Sequence, residues 1–216
     1  MSGTLTLHGY RYSVYSRIAR IVLHLKGAEY RWVEVDPFTN PDPAYLQIHP
    51  FNRVPALVHG DFTLIETAAI TRYLDDVLDG PALQPETAQD RARMAQVIAM
   101  IDSYGYWPMV RQVFSHSVFR PLVSQPPCPD TIAEGLAAAR PVLAALDAVA
   151  EERRVLNGKA VTLADCHLAP MLDYFTRADT GRDALAGYPA LSAWWHGMAQ
   201  HPVMTATDPG LAALAR

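Results

Sequence analysis

Cysteine is scarce in this chain of 216 residues, which has only Cys128 and Cys166. A disulfide framework or a thiolate metal centre is therefore excluded as an organising device, and the scarcity points to a reducing compartment. Charge of one sign is missing too. Lys and Arg number 18 against 22 Asp and Glu, for a formal net charge of −4, with no basic run. Proteins that follow a phosphate backbone draw affinity from clustered Lys and Arg, so no nucleic-acid partner is expected. No apolar stretch approaches the roughly 20 residues that span a bilayer. The opening MSGTLTLHGYRYS lacks the charged start and apolar middle of a signal peptide. No membrane association is expected, and the cytoplasm is the expected location.

What is present is an ordinary globular composition, 50% hydrophobic and 19% charged, enough for one large domain or two small ones. Residues 4 to 8 alternate like a strand, and Ile18, Ile21, Val22 and Leu25 then recur at i, i+3, i+4, i+7, the stripe of a helix that Gly27 ends. Tyr30 to Val35 is β-branched and aromatic. A Pro-containing stretch from Asp36 to Pro43 leads into a short helical turn near Ala44 to Ile48. Val54 to Val58 and Phe62 to Ile65 are apolar runs around His-Gly-Asp, where Gly60 supplies a tight hairpin turn. Ile70, Tyr73, Leu74 and Val77 form the next helical stripe. The first 80 residues thus read β-α-β-α-β-β-α.

After the linker Gly80 to Thr87 only helical patterns remain, over Asp90 to about Phe119, about Asp130 to Glu152, Thr162 to Phe175 and Leu191 to Gln200. The fold class is α/β plus all-α, with domains expected over 1–80 and 88–216. Four prolines make Arg120 to Pro129 a loop, and Pro108 and Pro141 are expected to kink their helices.

Several short segments carry chemistry. A proline as the second residue of the strand at Val54-Pro55 fits a cis peptide, which turns the Val54 backbone outward toward a peptide-like ligand; the alternative is an edge-strand proline. Glu66-Thr67 closes a strand and opens a helix, so free amides and partial positive charge meet a hydroxyl beside a carboxylate. That pairing suits the two charges of an α-amino acid, and it also reads as a plain capped helix start. Tyr10 to Arg17 fills the loop where a strand feeds the first helix, with Ser13 and Ser16 both possible N-caps. No cysteine lies there, which excludes a thiol-exchange mechanism at that position. Thr162 and Asp165 form a capping box that leaves Cys166 as a buried small side chain. Met100, Tyr104, Trp107 and Arg111 share a helix face; core packing is the ordinary reading, an apolar pocket the other. No histidine spacing suggests a metal site.

Taken together these segments resemble the cytosolic glutathione S-transferases over nearly the whole chain. LTLHGYRYSVYSRIARIV, from Leu5 to Val22, is similar to the family's first strand and helix, with Ser13 at the activating hydroxyl of its serine-type classes. HPFNRVPALVHGDFTLIETAAITRY, from His49 to Tyr73, resembles the glutathione-binding stretch, with Glu66-Thr67 in place of Glu-Ser. VTLADCHLAP, from Val161 to Pro170, resembles the capping box of the helical domain. His49 stands where the family often has Asn, and Asn52-Arg53 replaces a small or Lys/Gln pair.

The resemblance implies a thioredoxin-like glutathione-binding domain, an all-α domain contributing the co-substrate pocket, and a homodimer. It implies that glutathione is the co-substrate, with no metal, and that an apolar electrophile is attacked, in conjugation or alternatively in peroxide reduction or dehalogenation. On this pattern Ser13 holds the sulfur, Val54 and Pro55 the cysteinyl backbone, Glu66 and Thr67 the γ-glutamyl end, and Asn52 or Arg53 the glycyl carboxylate. Asp102 matches an acidic residue that in several branches reaches the neighbouring subunit's γ-glutamyl ammonium. Tyr12, Tyr104, Trp107 and Arg111 are the candidates for the electrophile pocket. Ser16 or a loop tyrosine is the alternative activating hydroxyl. The rival functions are a non-catalytic ligand-binding or regulatory protein of the same fold and a glutathione-dependent isomerase.

Overall fold

A computed structural model describes residues 3–39 and 42–211. The outermost residues of the two expected domain ranges, 1–2 and 212–216, lie outside the described residues, as do Asn40 and Pro41 of the Asp36 to Pro43 stretch. The chain forms two compact units. The first runs to Ala82 and takes in Thr205–Pro209, and the second comprises Leu83–Met204 and the chain from Gly210. Among the described residues no helix is long and apolar enough to cross a membrane.

In the first unit β1 (Leu5–Gly9) buries Leu5, Leu7 and Gly9 and leaves Thr6 and His8 half-buried, as its period of two requires. It is followed by α1 (Val14–Leu25), β2 (Arg31–Glu34), α2 (Pro43–Leu46), β3 (Ala56–His59), β4 (Phe62–Ile65) and α3 (Thr67–Val77). The sheet order is β2-β1-β3-β4. β1 runs parallel to β2 and antiparallel to β3, which is antiparallel to β4. This is the expected thioredoxin-like β-α-β-α-β-β-α unit. Parallel neighbours cannot be joined by a tight turn, so α1 makes the crossover from β1 to β2. The hairpin β3–β4 turns on Gly60-Asp61, with Gly60 at φ +64°, the left-handed geometry such turns need. β3 begins at Ala56 rather than at Val54, because Pro55 has no N–H to give a ladder.

The buried stripe of α1 includes Val14, Ile18, Ile21 and Val22, and α1 packs against α3. Lys26 Nζ lies 2.6 Å from Asp75 Oδ1 with the two side chains only 2% and 4% exposed, and it also donates to the Asp75 carbonyl. A pair so enclosed fixes the two helices in register, because removing either partner strands a buried charge.

The second unit is all-helical. α4 (Ala88–Met100) continues into two π-helical stretches, Ile101–Gly105 and Trp107–Phe119, and the short α5 (Arg120–Leu122). In these stretches the ladder widens to i−5, as in Tyr106 N–H to the Ile101 carbonyl and Arg120 N–H to the Ser115 carbonyl. Pro108 lies inside the widened ladder and has no donor of its own to place in it. α5 corrects the expected loop at its start: the helix runs on through residues 120–122, with Pro121 in its last turn directly after the widened ladder, and the irregular chain begins only at Val123. α6 (Pro129–Glu152), α7 (Leu163–Arg177) and α9 (Pro189–Ala199) match expected helices, whereas α8 (Asp179–Leu185) and α10 (Pro202–Ala206) are too short to show a period in the sequence. α6 packs on the π-helical stretch at Gly135, where a Cβ would stand 2.7 Å from Gln112 Cβ and 3.0 Å from the Pro108 carbonyl.

The predicted capping box closes at the start of α7. Asp165, 2% exposed, accepts from the Thr162 N–H at 2.8 Å and the Thr162 hydroxyl at 2.6 Å with one oxygen, and from Trp194 Nε1 of α9 at 2.7 Å with the other. Burial pushes its carboxyl above the usual carboxylate range, with the hydrogen bonds pulling the other way. Cys166 beside it is fully buried, as expected of a small core side chain.

Asp165→Ala leaves these donors without their acceptor, and at about 1 to 3 kcal/mol for each buried unsatisfied group we expect urea denaturation to show a loss of roughly 3 kcal/mol. His167, on the same helix and fully buried, has its pKa pushed by burial from 6.5 to about 3. Between those values the unfolded chain holds a proton that the folded one does not. Stability is therefore complete above about pH 6.5 and falls on acidification by about 1.4 kcal/mol per pH unit from this group. Denaturation followed from pH 7 to 5 should show that slope, flattened in His167→Gln whatever its absolute stability.

Candidate functional site

The strand register brings three loops to one end of the sheet. His8 pairs with Ala56, and Ala56 with Ile65. The loop leaving β1, the segment entering β3 and the residues leaving β4 are therefore neighbours. Gly9 pairs with Glu34, which brings the end of β2 to the same place.

The first loop carries Ser13. Its N–H donates to the Tyr10 carbonyl, closing a turn. It N-caps α1 from an extended backbone, its hydroxyl accepting from the Ser16 N–H at 3.2 Å. Accepting occupies a lone pair, so the hydroxyl proton stays available to donate. Ser16 is 1% exposed and accepts from the Tyr10 N–H, so it braces the loop from inside and is not the cap. Tyr12 is half-buried, its ring edge-on to Tyr10, which in turn meets Phe38 edge-on. Burial, then the charge of Asp36, holds the Tyr10 phenol above the ordinary tyrosine range.

The second segment contains the Val54-Pro55 peptide, which is cis as expected. The Val54 main chain joins none of the ladder or turn hydrogen bonds of the described residues. Asn52 sits at φ +48° and donates from Nδ2 to the Pro37 carbonyl. Arg53 is exposed, and its carbonyl accepts from the Tyr45 hydroxyl at 2.6 Å. Burial pushes that phenol up to about 12, so it remains a donor throughout the physiological range. His49, 2% exposed, has an Nδ1 with no hydrogen-bond partner. Burial lowers its pKa, the Glu66 carboxylate pulls it back up, and Arg53 lowers it further. The sequence marked His49 only as a departure from the family's usual Asn. Its enclosure between the fields of Glu66 and Arg53 emerges from folding alone.

The third segment is Glu66-Thr67. Glu66 adopts φ +70°, ψ 118°, a region that a residue with a side chain occupies at a cost of order 1 to 3 kcal/mol. It is the N-cap of α3 but makes no side-chain cap bond, and its residue is exposed. Thr67 is 7% exposed, and its hydroxyl makes no hydrogen bond to the described residues. The plain capped helix start is thereby corrected: neither side chain is spent on the first turn, whose amides face outward with the positive end of the helix.

Asp102, Tyr104, Trp107 and Arg111 belong to the helical unit. Asp102 is half-buried at the start of the widened ladder. Tyr104 and Trp107 are 67% and 61% exposed, which overturns the core-packing reading of this face. The Arg111 guanidinium lies 6.0 Å from the centre of the Trp107 ring, a cation-π contact. Among the described residues no three His, Cys, Asp or Glu side chains are grouped so as to hold a metal ion.

Residues 7–82 match the model of the glutathione S-transferase N-terminal domain and residues 110–202 that of the C-terminal domain. Glutathione S-transferase 3 of Zea mays is 31% identical over 86% of this chain and 85% of its own. Glutathione S-transferase F13 of Arabidopsis thaliana is 27% identical over 90% and 91%. Among solved structures, the theta-class glutathione S-transferase of Xanthomonas axonopodis pv. citri with glutathione bound is 26% identical, with a TM-score of 0.79 over 97% of this chain and all of the other. With both domain models matched in order and whole-length relatives on either side of 30% identity, the chain belongs to the glutathione S-transferase family.

Proposed function

We propose that this glutathione transferase activates the thiol of bound glutathione through Ser13, as a thiolate that attacks an apolar electrophile. The observation that carries the reading is the meeting, at one sheet end, of a capping hydroxyl with a spare proton, the uncommitted main chain of Val54, and an open helix start beside Glu66. The three suit one γ-Glu-Cys-Gly molecule. Val54, next to Pro55, pairs with the cysteinyl backbone as an added strand does. The first-turn amides and hydroxyl of Thr67 take the γ-glutamyl carboxylate, and Glu66 takes its ammonium. Asn52 and Arg53 serve the glycyl carboxylate.

The energetics support a donor rather than a nucleophile at Ser13. A free thiol with a pKa of about 8.5 is only a few per cent ionised at pH 7. Lowering that pKa by about two units needs roughly 2.7 kcal/mol of preferential stabilisation of the anion. A hydrogen bond to a charged acceptor contributes about 1.5 to 3 kcal/mol, and the N-terminus of α1 about 0.3 to 1 kcal/mol. Together they suffice without a metal. We assign residues 1–80 to glutathione binding and 88–216 to the co-substrate. Tyr12 is assigned to the electrophile, as are Tyr104, Trp107 and Arg111, whose exposed aromatic face suits an apolar molecule. The protein is taken to act in the cytoplasm as a homodimer, with Asp102 serving the γ-glutamyl ammonium bound to the neighbouring protomer.

Ser13→Ala is expected to lower turnover of a chromogenic aryl halide by one to two decades, about 1.4 to 2.7 kcal/mol of barrier, while glutathione affinity stays within a few-fold. Full activity in Ser13→Ala would remove Ser13 from the mechanism. On immobilised glutathione, Glu66→Ala and Thr67→Ala should each weaken retention and act non-additively when combined, since they hold two charges of one group. Asp102→Asn should weaken glutathione binding by about 1 kcal/mol in a protein that sediments as a dimer; unchanged retention of these variants would place the tripeptide elsewhere.

A further inference from the structure

The loop that carries Ser13 is held from outside by a piece of chain almost two hundred residues away. Arg11 Nε donates to the Pro209 carbonyl at 2.9 Å, and Arg20 Nη1 to the Thr207 carbonyl at 3.4 Å. Thr207 is 2% exposed, Pro209 is buried, and Thr205–Pro209 clusters with the first unit although the chain on both sides of it belongs to the second. The same loop is fastened on its other side. The Arg11 N–H donates to Glu34 Oε1 at 2.8 Å, and the other oxygen of that carboxylate accepts from Trp32 Nε1 at 2.8 Å. The Arg20 guanidinium stands 5.7 Å over the Trp32 ring, so one continuous set of contacts links Glu34, Trp32, Arg20 and the returning segment.

The acceptor of the Arg11 side chain is a neutral carbonyl. The bond therefore fixes a direction and does not neutralise a charge. Nε of arginine donates along a set line from a planar group, which an ammonium does not reproduce. Two residues after this tie comes Ser13, whose hydroxyl must point at sulfur to within hydrogen-bond tolerance.

We propose that Arg11 is a positioning residue: by tying the Ser13 loop to the segment Thr205–Pro209 it holds the Ser13 hydroxyl where it donates to the thiolate of bound glutathione. The inference rests on Ser13 being the activating group. Loosening the tie leaves glutathione anchored at Val54, Glu66 and Thr67 and weakens only the hydrogen bond to sulfur. Tyr10, Tyr12, Tyr15, Arg17, Arg20, Glu34 and Asp36 are among the other titratable groups of the loop and its surroundings, and Arg11→Ala retains them all.

The test compares Arg11→Ala, Arg11→Lys, Ser13→Ala and the double variant Arg11→Ala/Ser13→Ala. The pKa of the bound thiol is read from thiolate absorbance in the ultraviolet, with the pH profile of turnover, the KM for glutathione and the Tm. Arg11→Ala should raise the thiol pKa by about half a unit, which means about twofold less turnover near pH 6.5, about threefold less well below that pH, and convergence on the unaltered enzyme at high pH. KM should be unchanged. Arg11→Lys should behave like Arg11→Ala, and the shift should vanish when Ser13 is already Ala. An unmoved thiol pKa in Arg11→Ala overturns the proposal, as does an equal shift in both backgrounds or full rescue by Lys. A fall in Tm with no change in pKa does so too, by making the tie purely structural. If Ser13→Ala itself leaves the thiol pKa unchanged, the assignment of Ser13 fails first; a large Ser13→Ala effect beside a silent Arg11→Ala refutes the tie alone.

Discussion

The pairing of His8 with Ala56 and of Ala56 with Ile65 is the constraint on which everything else in the N-terminal unit depends. A slip of one residue in either ladder would turn every second side chain to the other face and expose Leu5, Leu7 and Leu57. It would also move Val54 and Glu66 by a strand rise of about 3.3 Å relative to Ser13, beyond the tolerance of a hydrogen bond. The core therefore selects the geometry of the site: burial of apolar side chains on the sheet, a term without direction, is converted by register into the placement of three polar loops.

The loops are built differently. At Ser13 the local bonds are satisfied and only a proton is left over. At Val54 a peptide unit stands outside the ladder. At Glu66 the backbone itself is held in an unfavourable region, which is sustained by the strand before it and the helix after it. Such a residue persists because the surroundings over-determine it, and here its conformation leaves the helix start without a side-chain cap. An uncapped first turn is a liability for folding and an asset for an anionic ligand. The strain and the missing cap therefore have one origin, the backbone conformation of Glu66.

Much of this was legible in the sequence because the relevant signals were local. The hairpin at Gly60, the capping box at Thr162 and Asp165, and the stripe of α1 each depend on a few consecutive residues. The candidate residues at Ser13, Val54-Pro55 and Glu66-Thr67 were legible because each sits at a junction of two elements. What was not legible depended on distance or on solvent. The exposure of Tyr104 and Trp107 could not be told from core packing, since a helix period shows which residues share a face and not what that face meets. α8 and α10 are shorter than two turns and have no period to read. Pro121 belongs to a proline-rich stretch, and composition does not show that the helix before it runs on through residue 122. The enclosure of His49 and the tie between Arg11 and Pro209 join segments far apart in the chain, for which a single sequence has no signal.

The close contact at Gly135 bears on how far this helical unit can drift as its sequence changes. With no side chain at that point, α6 rests directly on the Gln112 and Val113 side chains and the Pro108 carbonyl of the widened helix, so the separation of the two helices is set by backbone and the first atoms of two side chains. Everything between Trp107 and Arg111 is therefore indexed to a mark on its neighbour, as a gauge block sets a spacing. Residues on the outward side can be exchanged freely, because the inward side holds the rotation and the height of the helix that carries them. The exposed aromatic face is in this way separated mechanically from the packing that supports it.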